Sequence, residues 1–249
     1  MTQAGTIETF APAPPDTHPP LDSPGYRSTH LRHPNHNPLH LDHGKLDRGE
    51  LSGPLFGEGT VTAADADLTI GPSGEAVGQR IIVTGRLLDA GGQPIANSLV
   101  ELWQSNASGR YRHVSDHWPG TLDPNFTGNG RCLTDSDGTY RFTTIRPGAY
   151  PWRNHPNAWR PAHLHFSLFG RSFTQRLVTQ MFFPDDPLFF QDPIYDAVPE
   201  RSRQALIAAY DHGTTIAEWA LGFRFDMVLR GPDRTPVEEQ SDRRGPGAP

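Results

Sequence analysis

The chain has 249 residues and a formal net charge of −6 at pH 7. The length allows one large domain or two small ones with a sizeable core. The negative charge gives no general attraction for nucleic acid or an anionic membrane, so we expect neither as a partner. The single cysteine, Cys132, excludes an intramolecular disulfide framework and is typical of a reducing compartment. Because we find neither a signal-peptide pattern nor a long apolar stretch, we expect a cytoplasmic protein.

The first 56 residues predict an extended arm. Prolines recur between Pro12 and Pro38 and prevent a sustained helix or central strand. Six of the twelve histidines lie in this arm, but no regular spacing on a defined element predicts a metal site there. Tyr26 is the one large aromatic residue in the middle of the arm.

The body of the chain predicts many short strands separated by turns. β-Branched and apolar runs, several of them alternating with polar residues, mark strands at 80–88, 98–104, 131–134, 140–145, 175–183 and 221–230. Asp137-Gly138 between two of these runs is typical of a hairpin turn. We therefore predict an all-β fold, an antiparallel β-sandwich without internal repeats.

One segment, 199–212, carries a convincing helical pattern, with a proline at its start and an apolar stripe at helical spacing. After Gly231 the chain becomes polar. The predicted organisation is an extended arm over 1–56, a folded β-sandwich domain over 57–231 and a polar tail over 232–249.

The stretch 150–166, YPWRNHPNAWRPAHLHF, concentrates aromatic and basic residues and ends in His163-Leu164-His165. In a strand the two histidines point to the same face, while Leu164 and Phe166 point to the other. A His-x-His pair alone is a weak signal, because such pairs also occur on ordinary solvated strands. The flanking aromatic residues favour burial, and two adjacent buried histidines need hydrogen-bond partners or a metal.

Common hydrolase and nucleotide-binding patterns are absent from the sequence. It contains no His-Glu-x-x-His zinc motif, no Gly-x-Ser-x-Gly elbow and no phosphate-binding glycine loop. Four other segments, GRYRH at 109–113, LDPNF…GRCLTDSDG at 122–138, IRPGAYPWRN at 145–154 and WRPAHLHFSL at 159–168, occur in one characteristic order. With these motifs the chain resembles the intradiol ring-cleaving dioxygenases from about Gly78 to Gly231, and more weakly through the arm.

The resemblance implies a non-haem Fe(III) site held by two tyrosines and two histidines. Carried over by motif, the ligands are Tyr111, Tyr150, His163 and His165. The ligand types suit the metal, since two phenolates and a hydroxide supply three negative charges while the imidazoles stay neutral. A free tyrosine has a pKa of about 10, so a strong Lewis acid is needed to keep two of them deprotonated at neutral pH.

The resemblance also implies the reaction, in which a catechol and O2 react at the iron and the ring opens between its two hydroxyl-bearing carbons. Tyr150 accepts a substrate proton in this scheme. Arg160 stabilises negative charge that develops on the ring, and Gln180 orients Arg160. A structural ion pair is the alternative role for Arg160.

Substrate choice depends on residues whose roles the resemblance implies less directly. Trp152 and Ile194 occupy positions of the pocket wall, although ordinary core packing is an equal alternative for both. Tyr26 and Arg153 are candidates to meet a carboxylate on the substrate ring. Phe182 replaces a tyrosine that relatives can carry, which removes one hydrogen bond from the pocket.

The remaining candidate residues have simpler interpretations. His113 and His117 are interpreted as surface or loop residues, and Cys132 as a small buried packing residue.

The resemblance implies a partner as well as a reaction. In one branch of the family the iron-bearing chain assembles with a homologous α subunit that lacks the ligands, and the proline-rich arm suits a wrapping role at that interface. Two alternatives remain open. One is an intradiol dioxygenase for catechol, hydroxyquinol or another substituted catechol, and the other is a metal-free β-sandwich binding module of the transthyretin type.

Overall fold

The computed structural model describes residues 61–152, 157–169 and 176–237. The predicted arm with Tyr26, the position of Arg153 and the tail beyond Val237 lie outside these ranges. The described strands are β1 (Ile70–Gly71), β2 (Gly74–Glu75), β3 (Arg80–Leu88), β4 (Leu99–Trp103), β5 (Asn129–Leu133), β6 (Thr139–Ile145), β7 (Tyr150–Trp152), β8 (Ala158–Arg160), β9 (His163–Phe169), β10 (Arg176–Phe182), β11 (Ala209–Tyr210), β12 (Leu221–Arg224) and β13 (Met227–Val228).

Two sheets enclose one hydrophobic core. The first, called the β9 sheet, has the antiparallel order β10-β9-β4-β5. The second, the β3 sheet, has β6 antiparallel to β3, while β12 and β13 pair in parallel with successive parts of β3. Phe166 of β9 contacts Tyr140 and Phe142 of the opposite sheet and Phe225 between β12 and β13, which places the centre of the core between the sheets. The predicted β-sandwich is confirmed, with a parallel pairing that the strand pattern did not indicate.

The predicted strand 221–230 is interrupted at Phe225 and Asp226. Its apolar face is buried as predicted, but the backbone leaves the ladder with β3 between β12 and β13. The carboxylate of Asp226 accepts a hydrogen bond from the amide of Arg86 at 2.9 Å, and the hydroxyl of Tyr140 donates to the Phe225 carbonyl. Side chains therefore satisfy backbone groups that a continuous strand would have paired.

The predicted helix over 199–212 is much shorter in the structure. Helix α2 spans Glu200–Arg203 and continues as a 3-10 turn, Gln204–Leu206. The chain then becomes extended because the amide of Ala208 donates to the carbonyl of Phe182 at the edge of β10, at 2.9 Å. Tertiary pairing has replaced the local helical preference.

A second short helix precedes it. Helix α1, Pro193–Ala197, was not predicted, and it begins with Asp192 at its N-cap and a proline at its first position. In the part of the chain that the structure describes, no helix is long and apolar enough to cross a membrane.

The chain still packs on the sandwich after Gly231. The hydroxyl of Thr179 donates to the carbonyl of Pro236 at 2.7 Å, and Thr235 accepts a hydrogen bond from the amide of Val228 at 2.9 Å. The first residues after Gly231 are thus tied to the β9 and β3 sheets. The domain boundaries given above stay predictions.

Candidate metal centre

Strand β9 carries the two histidines at the end of the β9 sheet. His163 and His165 face one side, whereas Leu164, Phe166 and Leu168 lie fully buried in the core on the other. This alternation follows from the pleat of the strand and agrees with the sequence pattern. The strand pairs with β10 at both histidines and with β4 at His165, and this pairing fixes the separation of the two imidazoles, whose Nε2 atoms lie 3.1 Å apart.

Two tyrosines approach these histidines from separate segments. The Tyr111 oxygen lies 3.1 Å from His165 Nε2, and the Tyr150 oxygen lies 3.5 Å from His163 Nε2. Tyr150 begins β7, which pairs with β8 as a short ribbon, and Tyr111 lies in the loop after β4. Asp116 holds that loop by accepting the amide of Tyr111 at 2.7 Å. Two phenol oxygens and two imidazole nitrogens thus converge on one point.

Contacts at the opposite sides of the rings orient both imidazoles. His163 Nδ1 lies 2.7 Å from the carbonyl of Pro161, and since a carbonyl only accepts, this nitrogen carries the proton. The lone pair of the neutral ring is therefore on Nε2. Trp103, which lies directly opposite His165 in the sheet register, stacks on that ring at 4.9 Å between centroids and 4° between planes. Such outer contacts fix metal-binding histidines.

The charge state of His163 suits a metal ligand. Burial holds the pKa of His163 well below its usual range, and the nearby Arg160 and His165 lower it further. Among the described residues no group of three or more His, Cys, Asp or Glu side chains could hold a metal, so any metal site here depends on the tyrosine oxygens. A mixed set of phenol oxygens and neutral imidazoles fits a ferric ion, because anionic oxygen donors stabilise the higher charge.

Arg160 lies next to these residues in a buried, polar setting. Its Nε donates to a carboxylate oxygen of Asp192 at 3.0 Å, and an amino group of its guanidinium donates to the side-chain carbonyl of Gln180. The side chains of Arg160 and Asp192 are 3% and 0% exposed. Its guanidinium carbon also lies 5.5 Å from the centroid of the Trp152 ring. The ion pair that was the alternative role for Arg160 is present and fixes a cation beside the centre, while its catalytic role stays a prediction.

The buried ion pair has a second set of partners. Burial raises the pKa of Asp192, while Arg160 and the amides of Ile194 and Tyr195 oppose this rise by stabilising the charged form. Gln180 has one further buried group, its Nε2, which has no hydrogen-bond partner within the described ranges.

A cavity of about 640 Å³ opens directly onto the centre. Its wall includes Tyr111, Tyr150, His165, Arg160, Trp152 and Ile194. The volume is in the range of pockets that bind small organic ligands. Of the predicted pocket residues, the structure brings Trp152 and Ile194 to the wall, while Tyr26 and Arg153 lie outside the described residues. Phe182 is not part of this wall; it is fully buried against His163 and Tyr195.

Comparisons of the sequence and of the structure with known proteins all point to dioxygenases. A family model described as Dioxygenase matches residues 51–231, and one described as Protocatechuate 3,4-dioxygenase beta subunit N terminal matches residues 10–44. The chain is 52% identical to the protocatechuate 3,4-dioxygenase beta chain of Burkholderia cepacia, over 89% of this chain and 94% of that one. It is 27% identical to the protocatechuate 3,4-dioxygenase alpha chain of Pseudomonas putida, over 65% and 76% of the two chains. The crystal structure of 3-chlorocatechol 1,2-dioxygenase from Rhodococcus opacus 1CP shares the fold, with a TM-score of 0.54 at 21% identity over 83% and 82% of the chains.

The chain belongs to the intradiol ring-cleaving dioxygenase family. Intradiol dioxygenases are iron-dependent oxidoreductases, and the β-rich fold described above is theirs. The converging tyrosines and histidines lie within the matched range 51–231.

Three features of this intradiol dioxygenase were not predicted from the sequence. Asp192 is the buried partner of Arg160, and Trp103 stacks on His165. His113 and His117 are exposed loop residues, as interpreted, but they also line the cavity. Asp-Pro is a helix-start signal that could have indicated the N-cap role of Asp192, but its contact with Arg160 is a long-range one that no local pattern shows.

Proposed function

We propose that the chain is the catalytic, iron-bearing β subunit of a protocatechuate 3,4-dioxygenase, a cytoplasmic enzyme that cleaves 3,4-dihydroxybenzoate with O2 to 3-carboxy-cis,cis-muconate. The observation that carries the reaction is the convergence of two phenol oxygens and two imidazole nitrogens beside a cavity of small-molecule size. The 52% identity to a protocatechuate 3,4-dioxygenase beta chain supports the substrate, as does the separate match of the arm at 10–44.

The metal in this proposal is a non-haem Fe(III). Its ligands would be Tyr111 and Tyr150 through their phenol oxygens, and His163 and His165 through Nε2. When bound, the ferric ion supplies Lewis acidity that lowers the pKa of the tyrosines and of a catechol, and makes the catechol susceptible to O2.

Tyr150 is the proposed base for the substrate. Tyr150 lines the cavity, and its ring, which belongs to β7, packs edge-on against Tyr111 with 5.6 Å between centroids. A phenolate at this position can take the proton from a catechol hydroxyl at its own oxygen. The second tyrosine, held by Asp116 through its backbone, keeps its position during this transfer.

Arg160 is proposed to stabilise the negative charge that develops on the ring during oxygen attack. Its guanidinium is buried and fixed by hydrogen bonds, so little reorganisation accompanies the reaction. Gln180 accepts one of these hydrogen bonds and orients the group.

The rest of the cavity would select the ring. Trp152 would provide a flat aromatic contact and Ile194 an aliphatic one. We propose that Tyr26 and Arg153 meet the substrate carboxylate. An arginine suits that task because its planar group matches a carboxylate.

We also propose an α/β hetero-oligomer, in which a homologous α subunit lies against this chain and the arm wraps that interface. The 27% identity to a protocatechuate 3,4-dioxygenase alpha chain supports such a pair of related chains.

The visible absorption spectrum tests this function. The protein, expressed with its α partner, should show a broad tyrosinate-to-iron band that shifts when protocatechuate is added without oxygen. Tyr150→Phe and His163→Ala should weaken or abolish the band, while Tyr210→Phe, at an exposed tyrosine of β11, should not.

Each alternative has its own outcome in that experiment. A band that responds to catechol or hydroxyquinol but not to protocatechuate would keep the chemistry and change the substrate. A protein that stays colourless after iron loading would refute the dioxygenase and favour a metal-free binding module.

A further inference from the structure

We propose that Asp192 is a positioning residue that holds Arg160 in its reactive orientation and ties it to the pocket wall. The inference rests on the function proposed above. One oxygen of the carboxylate accepts from Arg160 Nε at 3.0 Å, and the other accepts from the amide of Ile194 at 2.9 Å. A single buried side chain thus connects the cation beside the metal centre with a residue that lines the cavity.

The surroundings of Arg160 explain why it needs this partner. Arg160 is the last residue of β8 and pairs with Tyr150 in the ribbon, which fixes its backbone but not its long side chain. Gln180 and Trp152 contact the guanidinium from other strands. Asp192 bonds the guanidinium through a carboxylate, which places a negative charge directly against the buried cation. It therefore both neutralises the buried cation and sets the direction of its Nε.

The same carboxylate positions helix α1. Asp192 is the N-cap of this helix, so its contact with the Ile194 amide sets where the side chain of Ile194 enters the cavity wall. Displacing the carboxylate would change the orientation of Arg160 and the pocket together.

Two substitutions distinguish the contact of Asp192 with Arg160 from its role as the cap of helix α1. Asp192→Asn keeps the size of the side chain but has only one accepting oxygen, so either Arg160 Nε or the Ile194 amide must face an amide donor. Asp192→Ser keeps a good N-cap oxygen but is too short to serve both partners. If Asp192 were only a helix cap, both variants would remain active.

We expect both variants to lower kcat by about 100-fold, because displacement of a catalytic group by about 1 Å has an effect of that size. KM and the dissociation constant of protocatechuate, measured without oxygen from the visible band, should change less than about threefold. Both variants keep an oxygen that can cap the Ile194 amide and so hold the pocket wall, and Arg160 acts on charge that develops after binding. Asp196→Asn is the matched control, because Asp196 is an exposed carboxylate on the same helix that pairs with Arg203. It should retain wild-type kcat.

A double-variant cycle decides whether Asp192 acts through Arg160. Arg160→Gln should lower kcat at least as much as Asp192→Asn, and the double variant should be no slower than Arg160→Gln alone. Additive losses, or wild-type kcat in Asp192→Asn and Asp192→Ser, would overturn the proposal. If Asp192→Asn does not fold, the cycle is measured with Asp192→Ser. Failure of the proposed function is distinguishable, since the wild-type protein would then neither bind nor turn over protocatechuate.

Discussion

Contacts at both ring nitrogens fix the orientation of the His163 imidazole. Its Nδ1 donates to the carbonyl of Pro161, two residues earlier, and its Nε2 faces the oxygen of Tyr150 and the ring of His165. Burial holds the pKa of His163 well below its usual range, so the ring is neutral with its lone pair toward the shared centre. The local sequence Pro-Ala-His therefore determines the tautomer as well as the position of the residue.

Arg160 gives the first prediction at the scale of a residue. Arg160→Lys keeps the charge but replaces a planar fork that bonds Asp192 and Gln180 in separate directions with a single ammonium group. We expect kcat to fall by about 10- to 100-fold while the visible band is retained. Arg224→Lys, at an exposed ion pair with Asp226, is the control and should leave kcat unchanged. Wild-type turnover by Arg160→Lys would contradict the proposed role.

Cys132 gives the second prediction. Cys132 is 8% exposed, and burial raises the pKa of its thiol to about 12. Because the thiolate is the reactive form, the folded protein should not react with a thiol reagent at pH 8, whereas the denatured protein should react at one site per chain. The same shift means that the contribution of Cys132 to stability is complete below its pKa in the unfolded chain, about 8.5, and is lost as the pH rises towards about 12. Rapid labelling of the native protein at pH 8 would show that the site opens.

At the scale of elements, β9 shows what a single sequence could predict. Its residues alternate between ligand candidates and core residues, and the sheet pairs it on both edges, so local pattern and tertiary structure agree. Tyr111 and Tyr150 could be assigned as candidate ligands only through the family resemblance. The loop after β4 and the β7–β8 ribbon have no periodic pattern of apolar residues that would predict where these side chains point. Tyr26 and Arg153 remain predictions.

The elements that were not predicted depend on long-range contacts. The helical pattern of 199–212 yields to pairing of Ala208 with the edge of β10, and the strand 221–230 is interrupted where Asp226 bonds the amide of Arg86. In both places a partner distant in sequence decides the backbone conformation. No window of local sequence contains that partner.

Gly85 provides a prediction for this interrupted strand. A Cβ at Gly85 would lie 1.8 Å from the carbonyl oxygen of Phe225 and 2.8 Å from the hydroxyl oxygen of Tyr140. Gly85→Ala should therefore lower the free energy of unfolding by about 3 kcal/mol and Tm by roughly 6–12 °C. The control is Gly91→Ala, where the nearest atom to the added Cβ is 3.4 Å away. Equal Tm values for the two variants in thermal unfolding would refute this account of the junction.

At the scale of the whole molecule, the proposed ligands join parts of the chain that the sandwich alone leaves loosely connected. Tyr111 comes from a loop, Tyr150 from a three-residue strand, and the two histidines from the start of β9 at the end of the β9 sheet. The core between the sheets lies on the opposite side of β9 and contains none of the four donor atoms. Folding of the sandwich and closure of the metal centre are therefore separable contributions to stability.

This separation predicts the effect of removing iron. A ligand that binds only the folded state at about 1,000 times its dissociation constant adds about 4 kcal/mol, which for a chain of this size raises Tm by roughly 8–16 °C. We expect the chelated wild-type protein to keep its β-sheet circular dichroism but to unfold at a lower temperature, and iron to restore the loss. His163→Ala should unfold at the same temperature with and without iron, because one of the four proposed ligands is missing. Identical unfolding of iron-loaded and chelated wild-type protein would mean that these four side chains do not hold a structural link between the loop, the ribbon and the sheet.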